Sequence, residues 1–121
     1  MKAFKSLFIF IFAILLINPA AIFAHPASSI EMELDLQSRI LDIEISHGVK
    51  DRKTHYIEKV EVYLNNELYI TQTFKSQTNI MNQKLMYILM DAEAGDVIMV
   101  KTKCSSFGSK AQKIIIENTN Y

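Results

Sequence analysis

Residues 30–46 read Ile30-Glu31-Met32-Glu33-Leu34-Asp35-Leu36-Gln37-Ser38-Arg39-Ile40-Leu41-Asp42-Ile43-Glu44-Ile45-Ser46, and their alternation decides the fold. Ile30, Met32, Leu34 and Leu36 share one parity, while Glu31, Glu33, Asp35 and Gln37 share the other. Successive side chains of a strand point to opposite faces, so this is a half-buried strand with one wet face. Gln37-Ser38 makes a short turn. Leu41, Ile43 and Ile45 then repeat the pattern against Asp42, Glu44 and Ser46. Helical spacing is nearly absent from the chain.

The same period runs on. A third strand passes through Val60, Val62 and Leu64 and ends at Asn65-Asn66. Asparagine tolerates positive φ, so the pair predicts a tight hairpin into Leu68, Ile70 and Phe74. A polar connection, Lys75 to Asn79, leads to a fifth strand at Leu85 to Met90. Ala94-Gly95-Asp96 turns the chain into Val97 to Lys103, and a last strand is expected at Ile114 to Glu117. About seven short strands at regular spacing predict an all-β protein, an immunoglobulin-like antiparallel β-sandwich.

Residues 1–24 read as a signal peptide. Lys2 and Lys5 precede an unbroken apolar run of eleven residues, Leu7 to Ile17, which Asn18-Pro19 ends. A spanning helix needs about 20 apolar residues, so a membrane anchor fits less well than a secretory signal. The expected cut follows Ala24, with Ala21 and Ala27 as alternatives, and leaves one domain at 25–121. The expectation is an exported protein, periplasmic or extracellular, with no membrane segment after cleavage. Loss of Lys2 and Lys5 turns a balance of 13 basic and 13 acidic residues into a net charge of −2. With no basic cluster, nucleic acid is not an expected partner.

Chemistry concentrates in four side chains, the three histidines His25, His47 and His55 and the single cysteine Cys104. An exported chain with one cysteine cannot form an internal disulfide, so the thiol is paired outside, buried, reactive or metal-bound. Three imidazoles and a thiolate suit iron, zinc or copper. His47 ends the second strand on the parity of Leu41, Ile43 and Ile45, and His55 is expected to open the third. One interstrand loop thus brings both to one end of the sandwich, where the loop after the sixth strand carries Cys104. Each has a plainer reading alone: His47 capping a strand, His55 as exposed polarity, Cys104 as a small buried hydrophobe. Cleavage after Ala24 would also give His25 a free amine, which with its imidazole could chelate copper.

Three segments, Ser46-His47, His55-Tyr56-Ile57-Glu58-Lys59-Val60-Glu61-Val62 and Cys104-Ser105-Ser106-Phe107-Gly108, resemble the iron-binding domain of superoxide reductases, the desulfoferrodoxin and neelaredoxin family. The resemblance implies an immunoglobulin-like sandwich holding mononuclear non-haem iron between histidines, with a cysteine thiolate as axial ligand. It implies an oxidoreductase that reduces superoxide to peroxide at an open coordination position. Carried over by motif, His47, His55 and Cys104 are metal ligands, and His25, followed by Pro26, stands for the first histidine. Phe107 stands where the family has its last histidine, and its ring is expected to give that side of the site a dry flank. The family's lysine beside the first histidine has no counterpart here. The loop between His47 and His55 is longer and lacks the family's proline. Its Lys50, Arg52 and Lys53 are read as solvated, or as positive potential for an anion. With one cysteine there is no rubredoxin-like module, so electrons would come from an external donor protein. The competing expectations are a non-catalytic zinc- or copper-binding carrier domain and a metal-free β-sandwich binding module.

Overall fold

The computed structural model describes residues 25–118; the expected signal peptide, 1–24, lies outside the described residues. Seven strands form: β1 (Ser29–Asp35), β2 (Ile40–Ser46), β3 (Ile57–Leu64), β4 (Glu67–Thr73), β5 (Asn82–Ile88), β6 (Val97–Cys104) and β7 (Ser109–Ile115). They build two antiparallel sheets, ordered β1-β2-β5 and β4-β3-β6-β7. The chain leaves the first sheet after β2, returns to it at β5 and leaves again for β6. Those crossovers give the immunoglobulin-like β-sandwich its Greek-key wiring. No helix occurs among the described residues.

Alternation places the core as expected. Leu41, Ile43 and Ile45 of β2 are 0–2 % exposed, and they face Val60 and Val62 of β3 and Ile98 and Val100 of β6 at 0 %. Asn65 and Asn66 take φ of 49° and 67°, the left-handed pair that a two-residue hairpin between β3 and β4 requires. Arg39, with φ of 60°, closes the turn before β2.

Three elements differ from expectation, the first being β5, which runs 82–88 rather than 85–90. β3 begins at Ile57 rather than at His55, and an extra residue, Glu58, interrupts its pairing with β6: Ile57 faces Cys104, yet Lys59 faces Lys103. This bulge stretches the spacing of buried residues to three between Ile57 and Val60, which breaks the period-two signal. β7 runs 109–115 rather than 114–117. It is an edge strand paired to β6 alone, and Ala111, Gln112 and Lys113 are all exposed, so no side-chain alternation marks it.

Candidate metal centre

Antiparallel wiring collects the chemistry at one end of the sandwich. The start of β1 lies beside the end of β2, with Ser29 opposite Ser46 and the Ser28 N–H donating to Ser46 O at 2.8 Å. His25 and His47, just beyond those positions, are therefore neighbours. The start of β3 lies beside the end of β6, which does the same for His55 and Cys104. His55 sits in the turn before β3 rather than on it, held by its N–H to Asp51 O at 3.1 Å. Tyr56 N–H donates to Ser105 Oγ at 3.1 Å, and Ser105 N–H donates to Tyr56 O at 2.9 Å. Those two bonds fasten the histidine turn to the cysteine loop.

The three imidazoles converge. Their ring centroids lie 4.9–5.2 Å apart, and one ligand nitrogen from each lies within 4.8 Å of the others. Two imidazole nitrogens on one metal sit at most about 4.2 Å apart at ordinary bond lengths. In a tetrahedral set they would be about 3.4 Å apart, so the rings must draw together to share one ion, and His25 is the exposed member. Cys104 joins through His55: its Sγ lies 3.0 Å from His55 Nε2. Nitrogen and sulfur bound at right angles to one metal would be about 3.1 Å apart. The thiol is 1 % exposed and continues the inward parity of Ile98, Val100 and Thr102. The structure therefore brings the three histidines together, where they could hold a metal ion, and sets Cys104 against one of them, His55.

His47 is fully buried, and its bonds are not those of a strand cap. Nδ1 meets Gln77 Oε1 at 2.8 Å, while Nε2 lies 3.1 Å from His25 O. Gln77 went unnoticed in the sequence because a lone glutamine in the polar stretch Lys75 to Asn79 looks solvated; it is 1 % exposed. Arg52, in the basic loop, donates from Nη1 to Gln77 O at 3.1 Å, so it fastens the connection rather than standing free. Lys50 and Lys53 are exposed.

Phe107 corrects an expectation. Its ring is 74 % exposed, so it forms no dry flank to the site. The neighbouring loop residue matters more. Gly108 has φ of +99°, and a Cβ there would meet Pro26 Cδ at 2.9 Å and Pro26 N at 3.0 Å. The cysteine loop thus packs its backbone against the segment that carries His25. Gly108→Ala is expected to cost more than about 1 kcal/mol, from the positive φ and the lost approach, and to displace His25. Chemical denaturation together with a metal titration checks both effects.

Burial first, then the charges that His47 and His25 would carry, hold the His55 imidazole below its ordinary value. In mildly acid solution the unfolded chain then takes up a proton that the folded chain refuses. Stability from this source is full above about pH 6.5 and is lost as pH falls through the folded value. The metal-free protein is expected to melt at lower temperature near pH 5.5 than near pH 7.5, with a shallower dependence in His55→Ala. Thermal unfolding across that range checks it. The carboxylates of Asp35, Glu61 and Asp96, held low chiefly by hydrogen bonds from Ser38, Tyr63 and Asn65 respectively, act in a more acid window.

Fold and site together define a β-sandwich with a three-histidine cluster at one end and a buried thiol against it. Comparison with protein-family models, with curated proteins and with solved structures finds no match.

Proposed function

We propose that this chain is an exported mononuclear metal protein of the superoxide reductase kind, with iron held by His25, His47, His55 and Cys104. The observation that supports it is the convergence of three imidazoles on one small volume, with a buried thiol against one of them. The donor set fits. Neutral imidazoles and a soft thiolate suit iron, and burial of His47 and Cys104 keeps their donor atoms from competing water. The exposed side of the cluster, at His25, leaves an approach for a small anion, and Lys50 and Lys53 on the adjoining loop add positive potential.

Iron bound there would supply the single electron that, with two protons, turns superoxide into hydrogen peroxide. The chain's own part is to hold the donors and orient the rings. Cys104 places its sulfur beside His55, and the Tyr56–Ser105 bonds keep that pair in register. The electron is restored by an external donor protein. The test is anaerobic loading with ferrous iron, followed by a steady source of superoxide. One peroxide is expected per ferrous site oxidised, and Cys104→Ser is expected to lose the reaction while keeping its fold. Peroxide no greater than spontaneous dismutation supplies would remove the catalytic reading. Metal retention without turnover would leave a zinc- or copper-type carrier, for which three imidazoles and a thiolate are also a complete tetrahedral set.

A further inference from the structure

Gln77 is the only buried side chain in the connection between β4 and β5 that touches a cluster histidine among the described residues. Its amide nitrogen donates to two backbone carbonyls, His47 O at 2.7 Å and Asn79 O at 3.0 Å. Its amide oxygen accepts the Ile57 N–H at 3.3 Å and faces His47 Nδ1 at 2.8 Å. These partners fix which way the amide points. Turned over, its NH2 would meet the Ile57 N–H, donor against donor, and its oxygen would face two carbonyls. The oxygen therefore lies against His47, and His47 Nδ1 must carry the hydrogen.

We propose that Gln77 is a positioning residue that locks His47 in the Nδ1–H tautomer and so presents the Nε2 lone pair to the metal cluster. This rests on the metal reading above. The geometry supplies a competitor that makes the lock necessary. His25 O lies 3.1 Å from His47 Nε2, close enough to accept a hydrogen bond from Nε2–H. In the neutral ring only one nitrogen bears a proton. Were it Nε2, the lone pair needed for a metal would be spent on His25 O. Gln77 Oε1 would then face a bare nitrogen, acceptor against acceptor, in a site from which water is excluded. Gln77 decides the contest in favour of metal binding. In the locked tautomer, Nε2 and His25 O are two acceptors facing each other with no proton between them, an arrangement that a bound cation relieves.

A purely structural role for Gln77 is also available, since the same amide ties the end of β2 to the start of β3. The test therefore reads the tautomer itself. In metal-free wild-type protein near pH 8, the ring-nitrogen NMR shifts and couplings of His47 are expected to show Nδ1–H; Nε2–H there would overturn the proposal without any variant. In Gln77→Met the population is expected to move toward Nε2–H, and zinc affinity by chelator competition to fall about 10–100-fold. Gln77→Glu keeps an acceptor for Nδ1–H and is expected to keep the tautomer, even where it loses stability with the two carbonyl bonds. Gln83→Met is the control. Gln83 is 5 % exposed and accepts from Thr78 N–H at 2.9 Å, so its loss should lower stability with no change in tautomer or affinity. Gln77→Met with wild-type tautomer and zinc affinity within about twofold would overturn the proposal. If wild type shows Nδ1–H but binds no metal, the metal reading fails and the tautomer lock stands, so the two are separable.

Discussion

Replacing His47 with alanine is expected to lower metal affinity by at least about 100-fold, because even partners one bond removed from a metal cost about 10–100-fold. The ring is fully buried and bonded at Nδ1, so its loss also opens a cavity and strips Gln77 Oε1 of its closer partner. A stability loss of about 2 kcal/mol or more should accompany the binding loss. Comparison with His25→Ala separates the two effects. His25 is exposed, and although alanine loses its ring contacts with His47 and His55, it keeps the backbone carbonyl that lies against His47 Nε2. That variant is expected to lose affinity while its stability stays within about 0.5 kcal/mol of wild type. Calorimetric titration and urea denaturation of both proteins check the pair. Equal affinity in all three would mean that the histidines meet for packing alone.

The second large effect is expected at Ile57→Ala. Ile57 is 0 % exposed, stands opposite Cys104 in the β3–β6 ladder and gives its N–H to Gln77 Oε1. Truncation should cost about 2–5 kcal/mol, a large share of the total stability of so small a domain. The cavity would open between the two strand ends that carry His55 and Cys104. Metal that binds only the folded state should restore part of the loss, about 2.7 kcal/mol at a free concentration 100-fold above Kd. Urea denaturation with and without zinc measures both quantities. A loss below about 1 kcal/mol would show that Ile57 is not a core residue.

The sandwich was legible in the sequence because most strands bury one face. Leu41, Ile43 and Ile45 alternate cleanly with polar residues, and Asn65-Asn66 announces a turn that only residues tolerant of positive φ adopt readily. Where burial is not periodic, the signal failed. The Glu58 bulge shifts β3 by one residue, and the edge strand β7 is held by its backbone ladder with no apolar face to show for it.

The candidate site was legible only as residue types. Few side chains besides histidine and cysteine offer soft donors, and their positions at strand ends implied that they could meet. Their supports were not legible. Gln77 lies in a polar connection and reveals its role only when folding buries it between β2 and β3. Phe107 looked like a wall of the site on account of its place in the motif, but the loop turns its ring to solvent and uses Gly108 for the inward contact with Pro26.

Under the proposed function, His25, His47, His55 and Cys104 serve one metal ion. The most direct test is titration of the metal-free protein with cobalt(II) under anaerobic conditions, read by absorption. One equivalent should bind, with ligand-field bands from a nitrogen and sulfur environment and a thiolate charge-transfer band that Cys104→Ser removes. Absence of saturable binding, or a spectrum unchanged in Cys104→Ser and in His47→Ala, would contradict the account.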